Sequence, residues 1–566
     1  IEDLVFENTR FNLHTYPTEY YNEIQQFVLR LSKPYEPGPP KDNPTLYFDC
    51  NRIYFDNLRF GFQVAFNGDK LLVNMKNLIL KLGKSDFYNK RLKIKSITIN
   101  EPKAQFAKAI FYPIDSANYP QKHPADTINY PIDSTQAKFW HITIDKFRLN
   151  KGSFNFDNVG MKNYFDLPFD PQHFDFDNIN FKINNAKLKN QKGTWEVEEG
   201  TAKERRGFEV TNFTANMMMT IDTMAFFDMT LTTPESILGD TVIFAYRHIS
   251  SMGDFNNKVK MDIRSKNSVV AIQDLLIFAP QLNRNAFFRQ NKDGKILFKG
   301  RLFDRVNRLK GDDLYLSIGQ NATLKGSFKS RNFTKPDETL LQLSVDRLST
   351  NMRNIKLMFP ELKITEQFYR LGRISFSGNF DGFYSDFVAD GNLRTDLGRA
   401  KMSINFKTPT QIGRYSGNLN LYDFDLKTFS GNDDFGKVTF KSKVSGYGAT
   451  LPTLNVKIDS DIESFVYKKY PYKNINIDGT FNKKSFIGEM GISDGNIDFV
   501  FDGEMNFNGD LPKFDLTSTI DRLDLKALNL SKETYIIDTR LNLNFTGDDL
   551  DNIVGQARID DLNIKT

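Results

Sequence analysis

Phe514-Asp515-Leu516-Thr517-Ser518-Thr519-Ile520-Asp521 is the stretch that decides the fold. Successive side chains of an extended chain point to opposite faces, so Phe514, Leu516, Ser518 and Ile520 share one side. Asp515, Thr517, Thr519 and Asp521 share the other. The same period-2 pattern recurs from Phe139 to Phe147, where Trp140, Ile142 and Ile144 oppose His141, Thr143 and Asp145. Each run therefore has one apolar face and one wet face, as in an antiparallel sheet solvated on one side.

Outward from this stretch, small turn-forming dipeptides punctuate the second half: Gly378-Asn379, Asp381-Gly382, Asp390-Gly391, Gly417-Asn418, Asp478-Gly479, Asp502-Gly503 and Gly509-Asp510. Such residues tolerate the positive φ of tight hairpins, and they predict a long antiparallel meander of short strands. No helical pattern lies between the strands to support a parallel α/β fold. Gly372 to Leu393 and Ile475 to Phe501 are similar in layout: a strand, a Gly-centred turn, a Phe and further alternating strands. A degenerate repeat of this kind predicts an all-β, elongated, solenoid-like body rather than a closed globule. With about 40 strands spaced about 4.8 Å apart, it would extend on the order of 190 Å.

Helices are few. Thr18 is placed to cap a short helix over 18–32, with Tyr21, Ile24, Phe27, Val28 and Leu31 at helical spacing before Pro34. Residues 34–44 form a Pro-rich connection, 112–136 a polar loop, and a second short helix is expected near Ile364 to Leu371. Three regions follow: a mixed N-terminal region 1–136, a central β segment 137–370, and a regular repeated-hairpin segment 371–566. The Ile1 start and the strand-like run up to Thr566 predict a chain that continues beyond these ends.

Composition narrows the function classes. The 52 Phe residues and 40% apolar fraction supply a large core. The 75 Lys and Arg interleave with 70 Asp and Glu for a net charge of +5, which is not the concentrated basic stripe of a nucleic-acid binder. Cys50 is the single cysteine, so no intrachain disulfide or CxxC metal site is formed. The densest apolar run, Val269 to Ala279, is interrupted by Gln273 and Asp274 and is too short to span a bilayer.

Catalytic and metal signals are weak. His14, His123, His141, His173 and His248 lie far apart in sequence, with no HExxH or HxH. Asp312-Asp313, Asp433-Asp434 and Asp548-Asp549 are expected at turns, where short acidic side chains bond the backbone. Gly446-Tyr447-Gly448 has Leu451 where a phosphate loop would place its last glycine, and no helix follows. The chain is accordingly expected to be non-enzymatic, with no cofactor and no metal.

Leu371-Gly372-Arg373-Ile374-Ser375-Phe376-Ser377-Gly378-Asn379-Phe380-Asp381-Gly382, continuing through Asp386-Phe387 and Asp390 to Gly398, resembles the corresponding region of TamB-like proteins of Bacteroidota. These belong to the AsmA-like and bridge-like lipid transfer superfamily. Ile1 to Leu13 and Trp140 to Asp157 are similar in style. The resemblance implies a U-shaped β-taco groove lined by apolar side chains. Along it phospholipid would pass through the periplasm between inner and outer membranes, with a role in outer-membrane assembly. It also implies an inner-membrane helix before Ile1 and a TamA-like outer-membrane barrel, or another envelope complex, as partner of a region after Thr566. Groove-lining candidates are Trp140, Ile142, Ile144, Ile374, Phe376, Phe380, Phe387, Ile475, Ile477, Ile497, Phe499, Phe501, Phe514, Leu516 and Ile520. Two other classes compete: a structural β scaffold or protein-interaction module of the envelope with dry cores, and an aromatic polysaccharide binder, which needs Trp or Tyr on the wet face.

Overall fold

The computed structural model describes residues 2–15, 50–64, 68–86, 90–108, 139–164, 168–284, 286–318, 322–335, 338–358, 364–408, 413–448, 451–548 and 552–566. The helix expected over 18–32, the connection 34–44 and the loop 112–136 lie outside these residues. The fold is largely β, with short helices. It divides into two compact units, one of Ile1–Arg284 with Phe288–Val306, the other of Asn285–Phe287 with Asn307–Thr566.

In the first unit the expectation of a purely antiparallel meander is corrected. Strands Asp3–Glu7 and Arg10–Thr15 both run parallel to Arg52–Val64, and Arg91–Asn100 and Lys103–Lys108 both run parallel to His141–Asn158. Parallel neighbours need a crossover of a dozen or more residues, and long segments do separate Thr15 from Arg52 and Lys108 from His141. From His141–Asn158 onward the chain is antiparallel, through His173–Lys189 and Lys192–Glu204 to Lys295–Asp304.

A row of bends crosses the first strands of this unit. Asn8, Asn57, Glu101, Lys151 and Asn178 all have φ between 50° and 53°. Asn8 and Asn57 follow the parallel register that pairs Asp3 with Arg52, and Glu101 and Lys151 follow the one that pairs Asn100 with Asn150. An extra residue in the left-handed region acts as a bulge: it bends the strand and shifts its alternation by one. The apolar positions shift with it. They are Ile53 and Phe55 before Asn57 but Leu58, Phe60 and Phe62 after it, and Phe147 and Leu149 before Lys151 but Phe154 and Phe156 after it. Asparagines satisfy the disturbed ladder. Asn57 Nδ2 donates to Asn8 Oδ1 (2.7 Å), Asn100 Nδ2 to Asn77 Oδ1 (2.6 Å), Asn150 Nδ2 to Asn100 Oδ1 (2.7 Å), and the Lys151 amide to Asn180 Oδ1 (2.9 Å).

Among its described residues the second unit holds fifteen strands, from Lys310–Ile318 to Val554–Lys565, each antiparallel to the next. Most of the dipeptides read as turns are inside strands. Gly378-Asn379 and Asp381-Gly382 belong to strand Arg373–Phe383, Asp390-Gly391 to Asp386–Thr395, Gly417-Asn418 to Arg414–Asp425, Asp478-Gly479 to Tyr470–Asn482 and Asp502-Gly503 to Ile497–Asn506. Only Gly509-Asp510 lies between strands. This corrects the strand count as well: thirty strands are found among the described residues rather than about 40, because they run on through these glycines.

The glycines make room across the sheet. Gly378 faces Gly391, and Gly488 lies between Gly479 and Gly503. A Cβ on Gly391 would come 2.6 Å from the Phe376 ring, and one on Gly479 2.5 Å from the Phe486 ring, so each glycine is roofed by a neighbouring aromatic. The hairpin at Lys468-Lys469 is made instead by two lysines with φ of 46° and 69°. Asp312-Asp313 is also not a turn but a bulge inside Lys310–Ile318, with Asp313 at φ 49°. Asp433-Asp434 is in a turn as expected, and Asp549 lies outside the described residues.

Among the described residues three buried clusters hold the second unit together: Leu371, Leu397, Phe424 and Val438; Tyr472, Ile475, Ile497 and Leu528; and Phe486, Phe501 and Leu516. The expected helix near Ile364 to Leu371 is a single turn, Glu366–Tyr369.

Candidate functional site

The first cluster borders a cavity of about 450 Å³ whose lining is apolar throughout. Its floor is the apolar face of consecutive strands: Leu393 of Asp386–Thr395, Ala400 and Met402 of Gly398–Lys407, Leu419, Leu421 and Phe424 of Arg414–Asp425, Val438 and Phe440 of Phe435–Tyr447, and Ile462 and Phe465 of Asn455–Tyr467. Phe368 and Leu371, from the turn at Glu366–Tyr369, and Leu426 and Phe429, from the short helix Leu426–Ser430, complete it.

Each wall has a local cause. The helix Leu426–Ser430 starts at Asp425, whose carboxylate accepts the Thr428 amide (3.0 Å) and the Thr428 hydroxyl (2.7 Å). These bonds hold the Asp425 carboxyl below the usual carboxylate range. The helix ends at Gly431, with φ 78°, whose amide donates to Lys427 O. Phe429 then meets Phe424 and Phe368 edge-on, at ring separations of 5.4 and 5.5 Å. Phe368 is 42% exposed, so the cavity is not sealed on that side.

None of the fifteen predicted lining residues lines this cavity; two of them, Phe376 and Ile475, pair with residues that do. Phe376 pairs with Leu393 at one side and Ile475 with Ile462 at the other. Ile374, Ile475, Ile497, Phe501, Leu516 and Ile520 are buried, none more than 9% exposed. Phe376, Phe380, Phe387, Ile477, Phe499 and Phe514 are half-buried, and Phe387 meets Phe380 and Phe406 as tilted ring pairs at 4.8 and 5.2 Å. In the first unit Trp140, Ile142 and Ile144 are half-buried, with Ile142 between Leu92 and Leu188 and Ile144 between Ile94 and Ala186. The cavity residues carry the same alternation, visible in Ala400-Lys401-Met402-Ser403-Ile404-Asn405-Phe406. Only the placement of two helical turns against them distinguishes this stretch.

Polar groups collect elsewhere. In the first unit a second cavity, of about 530 Å³, is lined by Asp157, His173, Asp175, Glu204, Arg205 and Arg206 among others. His173 Nδ1 is 2.7 Å from Asp157 Oδ1 and its Nε2 is 3.1 Å from Met161 O. Asp170 and Glu204, 2% and 1% exposed, accept backbone amides: Tyr164 and Gln172 on Asp170, Arg206 and Asp175 on Glu204. Burial, and then the charge of Asp177, raise the Asp175 carboxyl above its ordinary value. The buried acids are thus engaged in fixing loop backbone. Among the described residues no group of three or more His, Cys, Asp or Glu side chains is arranged to hold a metal ion, and no helix is long and apolar enough to cross a membrane.

Fold and cavity together define a largely β protein with an apolar, internally lined site. No protein-family model matches the chain, and neither does any curated protein or solved structure.

Proposed function

We propose that this protein is a non-enzymatic lipid carrier whose sheet forms an open, U-shaped trough and passes phospholipid hydrocarbon along its apolar face. The observation that carries this reading is the cavity of about 450 Å³, with no polar residue among the described residues that line it. A polar or charged ligand buried there would lose hydration without a compensating hydrogen bond, whereas an acyl chain loses nothing and removes apolar surface from water. The row of bends in the first unit supports the same reading, since bulges aligned across neighbouring strands curve a sheet while leaving its apolar positions on one side.

The cellular setting belongs to the proposal and rests on the resemblance to TamB-like proteins: a periplasmic bridge, held in the inner membrane and meeting a TamA-like barrel or another envelope complex at the outer membrane. A scaffold reading is favoured by one observation, the close burial of Ile374, Ile475, Ile497, Phe501, Leu516 and Ile520, which marks those positions as packed core. The two readings part on bound lipid. Mass spectrometry of organic extracts from gently purified protein is expected to find phospholipid at reproducible stoichiometry, reduced in a Met402→Asp, Leu419→Asp variant that still folds. Absence of lipid across mild preparations would leave the scaffold.

A further inference from the structure

We infer that the cavity beside Phe424 is a station for a single acyl chain, covered by a helical strap that the Arg370 side chain clips in place. The inference rests on the lipid-carrier reading and adds to it a stoichiometry and a gate.

The occupant follows from lining and size. Head groups are excluded because nothing in the wall can hydrogen-bond or neutralise them. At about 450 Å³ the cavity is in the lower half of the range of small-ligand sites, roughly 300–1,000 Å³. That size suits a single hydrocarbon chain. A diacyl lipid would enter with one chain and leave its head group and second chain outside.

The cover is built from two chain segments. Phe368 and Leu371 come from the turn before strand Arg373–Phe383, and Leu426 and Phe429 from the helix after strand Arg414–Asp425. Arg370 lies between Phe368 and Leu371, and its Nη1 donates to Thr428 O (3.3 Å) and Phe429 O (3.1 Å) at the helix C-terminus. A guanidinium suits this position, because terminal carbonyls lack helical partners and carry partial negative charge. Gly431 leaves the guanidinium its place: a Cβ there would stand 2.8 Å from Nη1. Arg370 is itself exposed, so the clip can open into water without unfolding the sheet below.

The test uses the full chain and cis-parinaric acid, a fluorescent fatty acid. Saturable binding of one probe per chain is expected. Ala400→Phe, which fills the floor, should abolish it, and Arg370→Gln should keep the stoichiometry while speeding probe exchange several-fold. Full one-to-one binding in a folded Ala400→Phe chain, or unchanged exchange in Arg370→Gln, would overturn the inference. Should Ala400→Phe not fold, a diazirine-bearing fatty acid photocrosslinked to the wild-type chain decides. Labelling of peptides containing Met402 or Phe440 supports the station, and labelling confined to other strands overturns it. If native phospholipid copurifies while the cavity stays unlabelled, the station fails and the carrier reading stands. If neither lipid nor probe binds, both fail.

Discussion

Asp262 shows how single residues tie neighbouring strands together. Its carboxylate accepts from Arg301 Nε and Nη2 (2.8 and 2.9 Å) on the adjacent strand and from Arg264 Nε and Nη2 (3.2 and 2.9 Å) on its own. The Arg301 hydrogen bonds above all, and then those of Arg264, lower the Asp262 pKa to about 2 against partial desolvation. A carboxyl depressed in the folded state stabilises above its unfolded pKa and loses that contribution as pH falls through the folded value. The Asp262 contribution is therefore complete above about pH 4 and disappears toward pH 2. Because Arg264 is exposed and Arg301 only half-buried, it is on the order of 1 kcal/mol or less. Urea melts of wild type and Asp262→Asn should differ at pH 7 and converge near pH 2; a constant gap would contradict this. Gly488 acts through space instead. It has φ 152°, and a Cβ would lie 2.2 Å from Asp478 O and 2.4 Å from Gly479 Cα. Gly488→Ala should cost about 1–3 kcal/mol, whereas Gly495→Ala, with nothing within 4 Å, should be nearly neutral in the same melts.

At the scale of the strand, the asparagine row is the feature with a measurable share in stability. Asn100 both donates to Asn77 and accepts from Asn150, so Asn100→Ala leaves two half-buried amides short of a partner. A loss of about 1–2 kcal/mol is expected, with faster amide hydrogen exchange in the flanking strands; unchanged exchange would deny the row its role. Lys151→Gly should raise stability by up to about 1 kcal/mol by relieving a φ of 53°. The strands themselves were legible, because an apolar face against water imposes period 2, as Phe514 to Asp521 shows. The row of bends was not: Asn and Lys carry no obligatory preference for positive φ, and a phase change from Leu149 to Phe154 reads as imperfect alternation until the neighbouring strands are aligned. The mid-strand glycines misled for a related reason. Asp-Gly and Gly-Asn suit turns in isolation, but Gly391 and Gly479 answer to aromatic rings that reach them from other positions in the chain.

At the scale of the molecule, parallel pairing and the cavity both depend on residues distant in sequence. Periodicity in Ala400 to Phe406 reveals an apolar face, but it does not say that Phe368 and Phe429 come to lie over it. The last described strand carries a further consequence of scale. Val554–Lys565 pairs with Ile536–Thr546, while Val554, Ile559, Leu562 and Ile564 are 75%, 57%, 54% and 52% exposed. Among the described residues this strand is paired along one side, and an apolar strand with an open side is a template for further β pairing. Sedimentation should show concentration-dependent self-association that Ile559→Lys with Ile564→Lys suppresses; a monomer at all concentrations would argue against it. The row of bends, finally, makes the first unit unequally tolerant of changes in chain length. Each crossing strand counts its residues in pairs on either side of one odd residue. Removing Lys151 outright would turn Phe154 and Phe156 to the opposite face of the sheet while Phe147 and Leu149 stayed in place. Deletion of that single exposed lysine should therefore be far more harmful than any substitution of it, and length changes should be accepted in the turns rather than along the row.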